Sequence, residues 1–408
     1  MNPLRAILMT CAVIWLSPCM AAGQPGKALD YEPVAGTAAP LAAANPAPGA
    51  AESVVAGSQR WVKRGVILRP GFAGPQSAKL VSSPSVVKLK NGRLRMYFWA
   101  ADGVPPWHGR HIILAAEADP ANPFVWNLVS SRPMVGADPS GNIRDRGVGF
   151  PYVLARDDGP WLMYYGTWGS WAPADEVSNR TGLAASDDQG LTWRVIQETV
   201  LPLGKPGSYD AGLTGSVSVL RESDGLYRMW YTAGERYVRF GERNRGIVHV
   251  GAATSTDGIH WTKAARPAIA ARLDTVDPYE AVLGKPNVVK IDGVYHFWVS
   301  VYCMPPGAKP SRGESYRSDS DADRSHWQQI TRQELGYHIE YARSVDGVTW
   351  QRQAGQPVMT LTPGEFDSKN QSYPMVIDMG TQLWMFYVGN EFGSTGIGLA
   401  TLDKSELR

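Results

Sequence analysis

The chain of 408 residues carries 40 Lys and Arg against 38 Asp and Glu, so its formal net charge is close to zero. No basic run stands out, which argues against nucleic acid as a partner. Two of the three cysteines, Cys11 and Cys19, lie in an apolar N-terminal stretch, so a chain processed after it keeps Cys303 alone. A single thiol forms no internal disulfide, and stability must therefore come from the hydrophobic core.

The N-terminal residues predict export. Residues 1–22 combine Arg5, a short apolar run and the small residues Ala21 and Ala22, a pattern typical of a cleavable secretory signal peptide rather than a membrane span. Residues 23–57 are rich in Ala, Pro and Gly, and this composition predicts a disordered linker. We therefore expect a secreted or periplasmic protein with no transmembrane helix in the mature chain.

A repeated pattern organises residues 58–408. Residues 181–193 read TGLAASDDQGLTW, an apolar strand followed by an Asp/Gly turn and a Trp, and close relatives end at Trp261 and Trp350. Asp and Gly favour a tight reversal, while Trp can pack the turn onto a sheet. Together with Trp61 and Trp126, these Trp residues are separated by 65, 67, 68 and 89 residues, which indicates an array of similar units.

Each unit also contains a first strand and an aromatic second strand. The first strands begin at Pro84, Pro151, Ser216, Pro286 and Pro374. Five first strands and five Trp strands predict an all-β, five-bladed β-propeller with four-stranded blades. Because Trp61 precedes the first of these strands, we expect an N-terminal strand from Trp61 to Leu68 to close the last blade and hide its edge. A β-sandwich is the alternative, but it gives no reason for so regular a Trp spacing.

Residues 303–336 lengthen the fourth unit and read as a polar insertion, a feature that often shapes a site on a rigid fold. Asp319, Asp321 and Asp323 imitate the spacing of a calcium loop. However, Arg324 replaces the required Gly, and Ile330 stands where the bidentate Glu belongs. We interpret this segment as a solvated loop and predict neither a metal site nor a cofactor.

Acidic residues recur just before the first strands, where a propeller gathers distant residues at one end of its channel. They are Asp145, Asp210, Glu280 and Asp367, while the first unit has Ser83-Pro84-Ser85 and no acid. Carboxylates around one axis suit glycosidic bond cleavage, which needs one acid and a second group as base or nucleophile. Alternatively, these acids cap turns or pair with Arg146, Lys285 and Lys369.

Roles within this set follow from side-chain type. Glu280 is the expected general acid because its longer side chain can reach a leaving-group oxygen above the channel. Asp145, flanked by Arg144 and Arg146, is the expected base or nucleophile, and Asp210 would hold water or sugar hydroxyls. Aromatic and basic side chains near the channel mouth can bind sugar rings; the candidates are Arg146, Trp168, Trp171, Lys285, Tyr302 and His108.

Several segments resemble a known family. They are residues 145–151 (DRGVGFP), 164–168, 182–193, 229–231, 373–377, 387–393 and 396–400. From Trp61 to Leu402 the chain resembles the five-bladed propeller glycosidase superfamily of arabinanases, β-xylosidases, invertases, levansucrases and mannoside phosphorylases, and it is most similar to the glycosidase-like branch. The resemblance implies the propeller fold and activity on glycosidic bonds.

In that superfamily an Asp opens the first blade as base or nucleophile, an Asp follows in the second blade, and a Glu in the third is the acid. This chain departs from the pattern at Ser83-Pro84-Ser85. Asp145, Asp210 and Glu280 would then be the same trio displaced by one blade, with Asp102 as a possible substitute in the first. The segment from Ser186 to Trp193 also resembles the Asp box of sialidases, which is a structural turn.

The sequence therefore predicts an exported glycoside hydrolase-like protein whose partner is an oligosaccharide or polysaccharide. A non-catalytic carbohydrate-binding or scaffold propeller is the alternative, because the first unit lacks an acid. A glycoside phosphorylase is a further alternative, since Arg146, Lys285 and Arg236 are possible phosphate ligands.

Overall fold

The computed structural model describes residues 59–103, 110–138, 144–168, 179–240, 243–272, 280–303 and 336–407. These residues form β-strands with three short 3-10 turns, at Gly74–Ser77, Glu391–Gly393 and Lys404–Glu406. The protein is all-β, as predicted. The predicted signal peptide and linker, and most of the insertion at 303–336, lie outside the described residues.

The strands of the described chain form sheets in sequence order. One four-stranded sheet contains β2 (Leu80–Lys88), β3 (Leu94–Ala101), β4 (His111–Ala118) and β5 (Trp126–Leu128). The next contains β6 (Gly147–Leu154), β7 (Trp161–Trp168), β8 (Arg180–Ser186) and β9 (Arg194–Gln197). Both sheets are antiparallel.

The following two units share an eight-stranded sheet. Its first half contains β10 (Leu213–Arg221), β11 (Tyr227–Phe240), β12 (Arg243–Ser255) and β13 (Thr262–Lys263). Its second half contains β14 (Glu280–Ile291), β15 (Val294–Cys303), β16 (His338–Ser344) and β17 (Gln351–Arg352). A single parallel pair, Val248 with Val282, joins the halves.

The last sheet combines the two ends of the described chain. It contains β18 (Ser372–Asp378), β19 (Gln382–Val388) and β20 (Ile397–Asp403), and β1 (Val62–Leu68) pairs antiparallel with β20. Just before β1, Trp61 is buried edge-on against Trp298, with ring centroids 6.0 Å apart. The Gln59 Oε1 atom accepts hydrogen bonds from both indole nitrogens, at 2.9 and 3.1 Å. These contacts fix β1 to residues that are far away in sequence.

The first strand of each unit contacts the first strands of its neighbours. β2 contacts β6, β6 contacts β10, β10 contacts β14, β14 contacts β18 and β18 contacts β2. Side chains of one strand hold the backbone of the next: the Ser85 Oγ atom accepts from the Val153 amide, and the Ser218 Oγ atom accepts from the Val288 amide, both at 2.9 Å. The units are therefore attached to one another through their first strands.

These five strands share a β-bulge. A non-glycine residue with positive φ stands at the same place in each, and the strand pairing shifts there. We call these residues the bulge ring: Ser83 (φ 48°), Phe150 (49°), Ser216 (45°), Lys285 (46°) and Tyr373 (54°). A bulge bends its strand and re-aims a side chain. Left-handed non-glycine residues cost free energy and concentrate at functional sites, so the ring is a place to look for one.

The repeated Asp/Gly motifs are turns, as their Asp and Gly residues predicted. The Asp188 Oδ1 atom accepts hydrogen bonds from the Leu191 and Thr192 amides at 3.0 and 2.9 Å. Asp257 and Asp346 make the equivalent bonds in the third and fourth units. These carboxylates thereby hold the turns between third and fourth strands.

Replacing Tyr164 with Phe should test how strongly these turns tie neighbouring units together. The buried Tyr164 hydroxyl donates to the Gly258 carbonyl at 2.6 Å. Tyr164→Phe leaves that carbonyl without its partner, so the free energy of unfolding in urea should fall by about 1 to 2 kcal/mol. The matched control is Tyr165→Phe, because the buried Tyr165 hydroxyl has no hydrogen-bond partner among the described residues. Equal losses in both variants would contradict the expected role of the bond.

Candidate functional site

The predicted site residues that the structure describes lie toward the same end of the strands, where each first strand begins. The start of each first strand pairs with the end of its second strand, as Leu80 pairs with Ala101 and Leu213 with Gly234. The ends of β3, β7, β11, β15 and β19 therefore lie on the face where β2, β6, β10, β14 and β18 begin. We call it the site face.

A continuous series of aromatic contacts crosses the site face. Ring centroids lie 5.1 Å apart between Trp168 and Trp99, and also between Trp99 and Phe150. Phe150 meets Tyr373 edge-on at 5.3 Å, and Tyr373 stacks on Phe392 at 6.2 Å. The series continues through Tyr337 to Tyr302. We call these seven residues the aromatic belt: Trp99, Phe150, Trp168, Tyr302, Tyr337, Tyr373 and Phe392.

The belt combines residues from separate units. Trp99 and Trp168 lie at the ends of β3 and β7, whereas Phe150 and Tyr373 belong to the bulge ring. Phe392 lies in the turn between β19 and β20 and has φ 58° and ψ 19°. Strained backbone thus positions three of the seven rings.

Sequence reasoning found two belt residues and missed five. Trp168 and Tyr302 were predicted from their positions after second strands. The missed residues are Trp99, Phe150, Tyr337, Tyr373 and Phe392. For Phe150 and Tyr373 the available signal was their place directly before a Pro that begins a first strand.

His111 lies at one end of the belt. Its ring centroid is 5.5 Å from that of Trp99 and 5.6 Å from that of Trp168, and its Nδ1 atom accepts a hydrogen bond from the Trp99 indole at 3.1 Å. Two glycines permit this packing. A Cβ atom at Gly147 would lie 2.5 Å from the His111 Cβ atom, and one at Gly149 would lie 2.8 Å from the Trp168 ring.

Asp210 and Asp367 are buried and paired with lysine. The Asp210 Oδ2 atom accepts from the Lys263 Nζ atom at 2.6 Å and from the Tyr231 hydroxyl at 2.9 Å. The Asp367 Oδ2 atom accepts from the Lys63 Nζ atom at 2.6 Å. Each lysine lies on the outer strand of the unit that contains its acid, Lys63 on β1 and Lys263 on β13. Each also follows one of the recurring Trp residues by two positions.

Glu280 is buried in a larger network of the same design. Its Oε1 atom accepts from the Arg272 Nε atom at 3.0 Å, and both of its oxygens accept from Arg352 at 2.9 Å. Arg352 also donates to the buried Glu340 Oε2 atom at 2.7 Å. Arg352 follows Trp350 by two residues, as Lys63 follows Trp61 and Lys263 follows Trp261. Three recurring acids thus join first-strand segments to outer strands, while their catalytic role stays a prediction.

Asp145 and Arg146 lie before β6. Asp145 is half-buried, in contrast to the buried Asp210, Glu280 and Asp367. Arg146 is exposed, and its backbone amide donates to the Trp168 carbonyl at 3.0 Å, which brings it beside the belt. Trp171 and His108, the remaining predicted binding residues, lie outside the described residues. Asp102, the possible substitute acid, pairs with Arg110 at 2.8 Å.

Lys285 is the one charged residue of the bulge ring. Its side chain is buried, with 3% exposed, and its Nζ atom donates to the Pro84 carbonyl of β2 at 3.1 Å. Because β18 lies between β14 and β2 in the series of contacts, the amine reaches past one neighbouring unit. Burial lowers its pKa to about 7. Among the described residues, the buried Ser82 and Ser83 hydroxyls beside Pro84 have no hydrogen-bond partner.

Sequence reasoning also missed a carboxylate and histidine pair on the site face. The His249 Nδ1 atom accepts from the Ala271 amide at 3.0 Å, so its Nε2 atom carries the hydrogen and donates to the Glu235 Oε2 atom at 3.0 Å. Burial, with a smaller effect of Arg236, lowers the pKa of His249 to about 4, and the ring is neutral at pH 7. Glu235 is half-buried and also contacts Arg236.

Within the described residues, no three His, Cys, Asp or Glu side chains are arranged to hold a metal ion. No helix in that part of the chain is long and apolar enough to cross a membrane.

Comparisons with known proteins identify the fold. No protein-family model matches the chain. The "Uncharacterized protein Rv1502" of Mycobacterium tuberculosis is 27% identical over 344 residues, which cover 84% of this chain and 99% of that protein.

Solved structures are similar over most of their length. One named "Glycoside hydrolase" has a TM-score of 0.62 at 18% identity, covering 84% of this chain and 92% of its own. A second comes from work on the "GH130 family of mannoside phosphorylases" and has a TM-score of 0.56 at 14% identity, covering 87% of this chain and 97% of its own. The fold is that of glycoside hydrolase-like propeller proteins, as the sequence resemblance predicted.

Proposed function

We propose that this protein binds an oligosaccharide or polysaccharide on the aromatic belt and hydrolyses its glycosidic bonds outside the cytoplasm. The belt is the observation that carries the proposal. Trp99, Trp168, Tyr302 and Tyr373 are buried, whereas Phe150, Tyr337 and Phe392 are partly exposed and offer ring faces to a ligand. Aromatic rings offer flat apolar faces to sugar rings, and binding sites combine such faces with a few polar groups. The likeness of the fold to glycoside hydrolases supports the reaction class, and the signal-like residues 1–22 support the location.

We also propose that the sheets form five four-stranded blades around a central channel. In this account the eight-stranded sheet is two blades joined at Val248 and Val282, and β1 closes the last blade. The mutual contacts of the five first strands and their shared bulge support it. The aromatic belt then lies at one mouth of the channel.

Hydrolysis needs a base or nucleophile and a general acid. We assign the first role to the half-buried Asp145. Glu280 is the general acid predicted from sequence, but its carboxylate can contact a substrate only after its ion pairs with Arg272 and Arg352 are broken. Glu235 is a second candidate, because it is half-buried on the same face and has one cationic partner, Arg236, in contrast to the two that Glu280 has.

A non-catalytic carbohydrate-binding protein is the second candidate function. It is favoured by the ion pairs that occupy Asp210, Glu280 and Asp367. The bulge ring, made of Ser83, Phe150, Ser216, Lys285 and Tyr373, also contains no carboxylate. A glycoside phosphorylase is the third alternative, with Lys285, Arg146 and Arg236 as phosphate ligands.

Phe392→Gly should separate sugar binding from folding. Glycine suits the left-handed conformation of residue 392 and offsets part of the packing lost with the ring, so the variant should stay folded while losing one belt ring. We expect its affinity for the glycan selected on an array to fall about tenfold or more. Phe124→Ala is the control, because Phe124 is exposed and lies outside the belt. Unchanged affinity of Phe392→Gly would contradict the proposed surface.

Turnover distinguishes the three functions. Aryl glycosides and the selected glycan are incubated with the wild type and with Asp145→Asn, with and without phosphate. Hydrolysis without phosphate, reduced by roughly two to four orders of magnitude in Asp145→Asn, is the expected result. Binding without turnover favours the non-catalytic function, and turnover that requires phosphate favours the phosphorylase.

A further inference from the structure

We propose that Lys285, with the hydroxyls of Ser82 and Ser83, receives the carboxylate of an acidic sugar, so that the substrate contains uronic acid residues. The inference rests on the proposed carbohydrate function and adds its substrate class.

Lys285 differs from the other buried cations of the described chain in having no acidic partner. Lys63, Lys263, Arg352 and Arg95 are mostly buried, and each contacts a carboxylate oxygen at 2.6 to 2.7 Å. The Lys285 Nζ atom instead contacts a backbone carbonyl. A buried charge is costly unless an opposite charge accompanies it. An anionic ligand would supply that charge.

The Lys285 amine has one hydrogen-bond partner among the described residues, the Pro84 carbonyl. An ammonium group has three N–H donors, and one of them is directed to the Pro84 carbonyl. Ser83 is the sequence neighbour of Pro84, and the Ser82 and Ser83 hydroxyls have neither a donor nor an acceptor partner among the described residues. A carboxylate accepts several hydrogen bonds and carries the missing charge, so it matches this set better than a neutral hydroxyl does.

The proposed anion site and the aromatic belt share the bulge ring. Phe150 and Tyr373 belong both to the belt and to the bulge ring that contains Lys285. A sugar stacked on the belt can therefore direct a ring substituent toward the amine. In a uronic acid the carboxylate is attached directly to the sugar ring. Inorganic phosphate has the same oxyanion chemistry, so the experiment must separate the two.

The charge at this site depends on the protonation of Lys285 itself, because the neighbouring titratable groups are neutral at pH 7 or lie toward the strand ends. Burial is the cause of its lowered pKa. Burial also raises the pKa of Tyr373 well above its ordinary value, so the phenol in the ring is neutral at pH 7. Apart from Lys285 and the tyrosines, the described charged or titratable side chains of β14 and the strands packed against it lie toward the strand ends. Glu235, Arg236, His249, Glu280 and Cys303 lie toward the site face, and Arg221, Arg228, Lys290, His296 and Asp378 lie toward the opposite end.

Binding of a carboxylate requires the protonated amine. Because the pKa of free Lys285 is about 7, affinity should be constant below that pH and fall about tenfold per pH unit above it. A neutral sugar bound on the same belt needs no proton at Lys285 and should show no such dependence.

The experiment titrates wild type, Lys285→Met and Lys290→Met between pH 6 and pH 9. Ligands are uronate-containing oligosaccharides, the same oligosaccharides with their carboxyl groups reduced to alcohols, and inorganic phosphate. Lys290→Met is the control, because Lys290 lies on the same strand but pairs with Glu222 away from the ring. Melting temperature is recorded for each variant. Lys285→Met removes a buried amine with no acidic partner but also leaves the Pro84 carbonyl without its donor, so its melting temperature should lie close to that of wild type.

The expected result is a preference of wild type and Lys290→Met for the acidic oligosaccharide of about a hundredfold at pH 6, declining above pH 7. Lys285→Met should bind both oligosaccharides alike. The inference would be overturned if wild type bound the acidic and the reduced oligosaccharides equally, or if the preference for the acidic one persisted in Lys285→Met. Binding of phosphate alone that depends on Lys285 would also overturn it. If the reduced oligosaccharides still bind in a Phe392-dependent manner, the proposed function survives that failure. If no oligosaccharide binds, both the uronic acid inference and the proposed carbohydrate function are contradicted.

Discussion

A chain lacking residues 1–68 should fail to fold, whereas a chain lacking residues 1–58 should be as stable as the full protein. The longer deletion removes β1 and exposes the β20 edge, an unpaired template for aggregation. It also removes Trp61 from beside Trp298, and loss of a buried Trp side chain alone costs about 3 to 5 kcal/mol. The deletion also removes the ion pair between Lys63 and Asp367, so that the buried Asp367 carboxylate is left without its cationic partner.

Circular dichroism, size-exclusion chromatography and thermal unfolding of the purified chains measure this result. Trp61→Ala in the full chain is a milder version and should lower stability without abolishing folding. A soluble chain lacking residues 1–68 that unfolds at the wild-type temperature would contradict the role given to β1.

Replacing Arg352 with Met should destabilise the protein by about 3 to 5 kcal/mol, because it leaves two buried carboxylates with fewer partners. Arg352 contacts both Glu280 and Glu340, whose side chains are buried. The remaining partners, Arg272 and His338, are more exposed and compensate only in part. Urea unfolding measures the change.

Arg343→Met is the matched control for this prediction. Arg343 lies on β16, is exposed and donates to Gln351, so its replacement should change stability by no more than about 0.5 kcal/mol. A loss in Arg352→Met no larger than in this control would show that the buried network has no structural role. The catalytic prediction for Glu280 would then gain support.

The strand order was predictable because its signals are periodic. Trp61, Trp193, Trp261 and Trp350 each directly precede an outer strand, and Trp126 opens one. These markers are local in sequence, so they do not depend on how the units meet. The all-β fold followed from them.

The bulge ring was not predictable in the same way. Ser83, Phe150, Lys285 and Tyr373 each precede a Pro, and a residue before Pro is biased toward extended backbone. The left-handed conformation found there contradicts that local preference. It is imposed by contacts between units, which a local pattern does not contain.

The recurring acids were visible in the sequence, but their partners were not recognised. Lys63, Lys263 and Arg352 follow their Trp residues by two positions, a spacing as regular as that of the acids. Recognising the ion pairs requires knowing that the segment before a first strand crosses to the outer strand of the same unit. The belt was only partly predicted for a similar reason, since its seven rings come from distant segments.

The most direct test of the account is a crystal structure of the protein with the oligosaccharide that it selects on an array. We predict a sugar ring stacked against Phe392 and Tyr337, with a carboxylate directed to the Lys285 amine. A glycan bound away from the site face, for example at the turns around Leu191 and Val348, would contradict the central claim that the aromatic belt is the carbohydrate site.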